Sequence, residues 1–343
     1  MTNKKKLLFI SNSYPNNINN ILDAFKNRND LILNIEHLWL KKQKNIFFDK
    51  VFNKLKIPLD IDNINKRIIE SIIINKPDIL FIIKGNNIYP WTIKKIKQEY
   101  PNIVLISWSL DDMFSWHNRS FYYTLGIKYY DFVFTTKSYN IDELKVLGAQ
   151  RVKFLNQAFS NKYHKPCHNF TKAKYKADVI FIGFAEQARF EYLIYLAQNG
   201  IKIDIYGSGW DKKKFRYHHK NINLNTFDLL GENYANALSC SKISLCFLRK
   251  ANRDLHTSRS IEIPACAGFM LAERTDEHKA LFAEDKEAVF FSTQEELLNQ
   301  VNYYLEHDNE RKKIAQAGYA RTKRDDYSYD NMVKKIFGLI NES

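Results

Sequence analysis

No run in this 343-residue chain approaches the ~18 uninterrupted apolar residues of a membrane span, so no segment is read as crossing a bilayer. After Lys4-Lys5-Lys6 the apolar run Leu7–Ile10 is too short for the core of a secretory leader, and a cytoplasmic protein is expected. Cysteine is scarce as well. Cys167, Cys240, Cys246 and Cys266 form no Cys-x-x-Cys pair and have no histidine partners at zinc spacing. That points to reduced thiols rather than a disulfide framework or a structural metal. Gly-x-Ser-x-Gly and Gly-x-Gly-x-x-Gly are both absent, so covalent hydrolase and dehydrogenase readings lack their signatures. The Asp-x-Asp spacing of Asp60–Asp62 falls just before a helical stretch and is read as structural.

What is present is a globular composition, with 45% hydrophobic, 14% aromatic and 26% charged residues, which excludes a disordered chain. The length suits two domains. The net charge of +14 is unevenly spread: residues 1–168 carry 26 Lys and Arg against 14 Asp and Glu, residues 169–343 carry 26 against 24. A basic half can meet nucleic acid, an anionic membrane surface or an acidic substrate. The lysines are scattered without aromatic interleaving and no reader motif occurs, so a nucleic-acid-binding protein is the weaker alternative. No single helix of this half reads as an interfacial anchor.

Short β-rich apolar runs alternate with amphipathic helical stretches. Strands are predicted at Leu7–Ser11, Asp78–Ile83, Ile103–Ser107, Asp131–Thr135 and Val152–Leu155, with helices at Ile64–Asn75, from Tyr89 to about Tyr100, and at Tyr139–Leu147. Ser138 is placed to cap the last of these and Gly148 to end it. The segment 156–176 is polar, lacks periodicity and reads as a linker. Strands then resume at Val179–Ile182, Lys202–Tyr206, Ile243–Phe247 and Phe269–Ala272, with helices at Ala188–Gln198, near Tyr234–Cys240, at Ile261–Ala267, and near 294–306, 309–320 and 327–340. This is an α/β chain of two tandem Rossmann-like domains, 1–160 and 177–325, joined by a linker over 161–176 and followed by a C-terminal helix within 326–343.

Ligands of open α/β sheets gather beyond the carboxyl ends of strands. Those positions are Ser11–Ser13, Lys84-Gly85-Asn86, Trp108–Asp112, Gly183–Glu186, Gly207–Trp210, Arg249–Arg253 and Glu273. In the segment 249–273, Glu262 opens a short apolar helix, where its carboxylate can accept hydrogen bonds from the vicinal hydroxyls of a ribose. A surface carboxylate at a helix start would look the same. Asp254 could face a donor sugar, and Arg249, Lys250, Arg253 and Arg259 supply charge for a diphosphate. Gly183 would let backbone approach a phosphate, and Tyr234 would line a base pocket or simply pack its helix.

The stretches HTSRSIEIPACAGFMLAERTDEHKALF and EAVFFSTQEELLNQVNYYLEHDNERKKIAQAG resemble the C-terminal domain of group-1-type glycosyltransferases, in the branch named after the spore maturation protein CgeB. The resemblance spans about 178–330 and is weaker over 78–165, where IIKGNNI and SWSLDDM carry it. In that family an acidic residue, seven spacers and a glutamate precede Ala-x-x-Gly-like residues, and the glutamate binds the nucleotide ribose. Glu262 with Ala265 and Gly268 matches the glutamate; Asp254 matches the first acid in spacing, without the usual Gly-Phe-Gly neighbours. The resemblance implies the GT-B architecture, two Rossmann-like domains facing a central cleft, with acceptor mostly on the first and nucleotide-sugar donor mostly on the second. The C-terminal helix would then pack back on the first domain. It also implies transfer without a metal or other cofactor, and places Gly207-Ser208-Gly209 near the nucleotide.

In the first domain Asp111-Asp112 follows a strand beside Trp108 and His117. Paired carboxylates repel, so one can be raised in pKa and serve as the base in an inverting transfer, with His117 as the other candidate. Lys84-Gly85-Asn86 and Trp108 are placed at the acceptor. The expected acceptor is a cell-envelope glycan, a lipid-linked precursor or a protein, with peripheral contact to an anionic membrane. A catalytically silent two-domain module that binds a nucleotide sugar is the alternative from another class.

Overall fold

The computed structural model describes residues 4–11, 15–37, 47–167, 174–212 and 219–342. It divides into two compact units, 1–156 and 157–343.

In the first unit six parallel strands lie in the order β2-β1-β3-β4-β5-β6: β1 (Lys5–Ser11), β2 (Leu31–His37), β3 (Ile79–Ile83), β4 (Val104–Ser109), β5 (Phe132–Thr135) and β6 (Val152–Phe154). Helices α1 (Pro15–Lys26), α2 (Phe47–Lys54), α3 (Ile64–Asn75), α4 (Pro90–Glu99), α5 (Phe121–Gly126) and α6 (Asn140–Val146) connect them. Strand side chains alternate between faces. Leu8, Ile10, Leu80, Ile82 and Leu105 therefore pack with Ile68 and Ile72 of α3 in one layer. Phe9, Phe25, Phe81 and Trp108 fill the other, with Phe9–Phe25 centroids 5.5 Å apart and Phe81–Trp108 centroids 6.1 Å apart. Asp60 caps α3, accepting from the Ile64 and Asn65 N–H groups at 2.5 and 3.0 Å. Helix α6 opens at Asn140, one residue later than the sequence indicated, with Tyr139 rather than Ser138 at the capping position.

The second unit repeats the plan in the order β12-β11-β10-β7-β8-β9, again all parallel, with β7 (Val179–Ile182), β8 (Ile203–Tyr206), β9 (Ile222–Asn225), β10 (Ile243–Cys246), β11 (Met270–Glu273) and β12 (Val289–Phe291). Around it lie α7 (Gln187–Gln198), α8 (Gly231–Cys240), α9 (Ser258–Ala265), α10 (Asp276–Leu281), α11 (Gln294–Glu306), α12 (Asp308–Arg324) and α13 (Tyr329–Asn341). All four cysteines are free thiols of this unit.

Residues 157–167, read from the sequence as the start of a linker, are largely buried in this unit. Phe159 and Tyr327–Tyr329 exchange backbone hydrogen bonds: Phe159 N–H donates to Tyr327 O and Tyr329 N–H to Phe159 O, each at 3.0 Å. The segment's buried polar residues find side-chain partners, Gln157 N–H donating to His256 Nε2 at 3.0 Å and Ser160 N–H to His164 Nδ1 at 2.9 Å, while Asn161, Lys162 and Lys165 face solvent. The sequence candidates Asn12 and Ser13, and residues 168–173 of the predicted linker, lie outside the described residues.

Candidate active site

The carboxyl ends of β7, β10 and β11 carry a cluster of polar side chains. Helix α9 begins there with a full capping box: the Thr257 hydroxyl accepts from the Arg259 N–H at 3.1 Å, and Ser260 Oγ accepts from the Thr257 N–H at 2.9 Å. Ser260 is anchored in turn. His278 Nδ1 donates to the Glu273 carbonyl at 2.6 Å, which leaves its Nε2 to accept from Ser260 Oγ–H at 2.7 Å. Burial pulls the His278 pKa down to about 4, so the ring is neutral at physiological pH.

Capping at Thr257 moves the helix start earlier than the sequence indicated. Glu262 sits in the middle of α9 rather than opening it, and it is no surface carboxylate: only 5% of it is exposed. Tyr234 Oη–H, from α8, donates to Glu262 Oε2 at 2.6 Å. His164 Nδ1 accepts from the Ser160 N–H at 2.9 Å, so its Nε2 carries the proton and faces Glu262 Oε1 at 3.8 Å. Burial, then the Glu262 charge, push the Tyr234 phenol well above its usual pKa, while burial lowers that of His164 against the pull of Glu262. Two neutral donors thus converge on one buried carboxylate. Such an arrangement can orient an acceptor group toward vicinal hydroxyls.

The basic residues divide by role. Arg259 Nε donates to the Ile182 carbonyl at the end of β7, bringing its guanidinium beside Gly183. Arg249 lies 3.7 Å from Glu186, the residue preceding α7, and its buried Nε has no hydrogen-bond partner among the described residues. Lys250 pairs with Glu273 Oε2, and the Leu248 N–H donates to Glu273 Oε1 at 2.7 Å. Glu273 therefore bolts the loop after β10 to β11. Asp254 accepts from Asn252 Nδ2 at 2.7 Å and from the Arg249 N–H at 3.3 Å, closing the 249–254 loop on itself. Arg253 makes its turn with φ of 47°.

The glycine turn has a steric reason. A Cβ on Gly207 would lie 2.2 Å from the Gly183 carbonyl oxygen, and φ there is 143°. Gly209 would likewise meet the Phe184 ring at 2.9 Å. The Gly207 and Ser208 N–H groups already donate to Asn225 O at 3.2 Å and Asp228 Oδ1 at 3.0 Å. These glycines let the ends of β7 and β8 approach, which is the local need they meet.

In the first unit Lys84 pairs with Asp111 at the ends of β3 and β4, and Lys84 and Gly85 both take positive φ, 63° and 73°. Asp111 is part-exposed. Asp112 is not: its Oδ1 accepts from the Phe114 N–H at 3.0 Å and Asn140 Nδ2 at 3.1 Å, its Oδ2 from Ser115 Oγ at 2.5 Å, and it is wholly buried. Trp108 is also wholly buried, against Phe81, so its ring is core and not open to an acceptor. His117 is exposed on the following loop. Asn86 donates through Nδ2 to Asn118 O at 3.1 Å, and its Oδ1 has no hydrogen-bond partner among the described residues.

Sequence reasoning missed two residues. Buried Arg189, in the first turn of α7, donates to the carbonyls of Phe184, Leu248 and Phe247 at 3.0, 3.3 and 3.3 Å and ties the ends of β7 and β10 together. Burial, then Arg259, pull its pKa down to about 10. His164 lay in a segment without periodicity, where no pattern marks a buried side chain.

Residues 189–338 match the family model described as glycosyl transferase-like. The matched stretch holds Arg189, Tyr234, Glu262 and Glu273, and excludes His164 and the first unit. No curated protein matches the sequence. Among solved structures, HepE from Anabaena in complex with UDP and glucose superposes with a TM-score of 0.68 at 12% identity, covering 99% of this chain and 100% of that one. Sucrose-phosphate synthase from Thermosynechococcus elongatus gives 0.71 at 9% identity, covering 99% of each chain. A glycosyltransferase from Rickettsia africae gives 0.63 at 12% identity, covering 99% of this chain and 98% of that one. At such identities the likeness establishes the fold: two Rossmann-like units of the GT-B class.

Proposed function

We propose that the protein is a glycosyltransferase of the group-1 type, in the CgeB-like branch, moving a sugar from a nucleoside diphosphate sugar to a cell-envelope glycan, a lipid-linked precursor or a protein. The observation that carries this reading is the buried Glu262 carboxylate held by Tyr234 and faced by His164, inside the stretch that matches the glycosyl transferase-like family. In this reading Glu262 takes the ribose hydroxyls. Arg249 and Arg259 neutralise the leaving diphosphate without a metal. UDP is the first nucleotide to try, because HepE was captured with UDP and glucose.

If the transfer inverts, Asp111 is the better base of the carboxylate pair, since it is part-exposed where Asp112 is sealed. A binding module without turnover is favoured by one feature, the engagement by its own loop of Asp254, the residue read from the sequence as facing a donor sugar.

The deciding experiment is thermal stabilisation by UDP, GDP, TDP, ADP and CMP on the wild type and on Glu262→Ala. A nucleotide at 100 times its dissociation constant adds about 2.7 kcal/mol. One nucleotide that stabilises the wild type and not the variant supports the site; equal stabilisation of both removes Glu262 from it. Binding of a nucleotide sugar without release of nucleotide, with or without candidate acceptors, would favour the silent module.

A further inference from the structure

The first unit exposes a cluster of large apolar side chains contributed by three separate segments. Trp91 opens α4, Trp116 lies on the loop before α5, and Leu55 follows α2; they are 59%, 62% and 54% exposed. Leu125 of α5 is 59% exposed and lies four residues after Phe121, on the same helix face.

Contacts join these side chains into one facet. The Phe121 N–H donates to the Lys56 carbonyl at 3.0 Å, and Lys56 Nζ sits 5.3 Å from the centre of the Trp116 ring. On the other side Trp91 and Tyr122 rings lie 6.0 Å apart, and Tyr89 contacts both. These contacts bring the segments of Leu55, Trp116, Phe121–Tyr122 and Trp91 side by side, although no single amphipathic helix forms the facet. This is why the helix-by-helix sequence reading found no anchor.

Lysines edge the apolar side chains. Lys94 follows Trp91 by three residues on α4 and is exposed, as is Lys128 three residues beyond Leu125. Unit 1 as a whole carries 24 Lys and Arg against 14 Asp and Glu over residues 1–156. Protein–protein contact surfaces are depleted of lysine, whereas tryptophan and tyrosine mixed with lysine is the composition of a surface that sits among lipid headgroups.

We propose that this facet docks the protein on an anionic bilayer surface, with Trp91 and Trp116 inserted at headgroup depth and the lysines facing lipid phosphates. Exposed apolar side chains supply the depth and charge supplies the preference for anionic lipid. The proposal does not depend on sugar transfer.

Sedimentation of the full chain with phosphatidylcholine vesicles, with and without phosphatidylglycerol, tests it. The wild type should sediment with the anionic vesicles, and its tryptophan emission should shift to the blue. Trp91→Ser with Trp116→Ser should lower the bound fraction at least about tenfold while the unfolding midpoint stays unchanged. If that pair fails to fold, Leu125→Asp replaces it with the same expected loss. Absence of wild-type sedimentation overturns the proposal. So does binding that is abolished by salt yet indifferent to the tryptophans, which would be scattered charge alone. Tryptophan-dependent dimers without lipid would also overturn it, making the facet a contact between copies of the chain.

Discussion

The phenol of Tyr234 donates a 2.6 Å hydrogen bond to Oε2 of Glu262, joining α8 to the middle of α9 below the carboxyl edge of the second sheet. A charged acceptor that is this buried depends on its donors. Tyr234→Phe should therefore cost about 1–3 kcal/mol of stability. It should also weaken binding of the nucleotide that stabilises the wild type. Urea midpoints and thermal shifts read the two effects separately, and a variant as stable as the wild type would show that this bond contributes nothing.

Acid should weaken the second unit before it unfolds it. His278 is held near a pKa of about 4 in the folded protein, below the 6.5 of a free imidazole, and burial lowers His164 too. Between those values the unfolded chain binds more protons, so stability is complete above about pH 6.5 and falls as pH drops toward 4. For His278 alone the loss is on the order of 3 kcal/mol. Urea midpoints at pH 7.5, 6 and 5 should fall in that order. His278→Gln should flatten the profile; a wild-type midpoint constant over this window would contradict the neutral assignment.

Two glycines with positive φ should behave differently. Gly207→Ala drives a methyl into the Gly183 carbonyl and should cost about 3 kcal/mol or more. Gly231, at φ 55°, has no described atom within 4 Å of the added carbon, so Gly231→Ala should cost only about 1 kcal/mol of backbone strain. Equal denaturation midpoints for the two variants would remove the steric argument for the β7–β8 approach.

The two adjacent carboxylates of the first unit should separate by kind. Asp112→Asn keeps an oxygen for the Phe114 N–H and Asn140 Nδ2, turns an amide NH2 toward Ser115 Oγ and replaces charge-assisted bonds by neutral ones, which should destabilise by about 1–2 kcal/mol. Asp111→Asn should stay within about 1 kcal/mol of wild type in stability. If Asp111 is the base, the same change lowers turnover about 100-fold or more. Full turnover in Asp111→Asn would place the base elsewhere or indicate a retaining reaction.

The interior of the fold was legible from the apolar runs, and of its four edge strands only β6 was. The central strands β3 and β7 and the body of β1 are buried and read as continuous Val, Ile, Leu and Phe, while β10 and β11 are equally buried as the short runs ISLC and MLAE. The three strands missed, β2, β9 and β12, are all sheet edges. β2 and β9 mix polar residues into part-exposed runs (LILNIEH, INLN), and β12 is only three residues long. At the site, spacing located Glu262 but not its depth. That depth comes from Tyr234 and His164, which lie 28 and 98 residues away and reach it only through the packing of α8 and the 157–167 segment. Asp111 and Asp112 were equivalent in sequence; the loop folding back toward Asn140 is what seals one and leaves the other open.

The cysteine distribution bears on how the two units can be labelled. Burial pushes the Cys246 thiol up to about 11, burial with Cys167 as neighbour pushes Cys240 up to about 12, and Cys266 is raised as well. At neutral pH such thiols are protonated and react slowly with alkylating reagents. Residues 1–156 contain no cysteine at all. A single cysteine introduced at an exposed position of the first unit should therefore take a maleimide dye in preference to Cys240, Cys246 and Cys266, on an otherwise native chain.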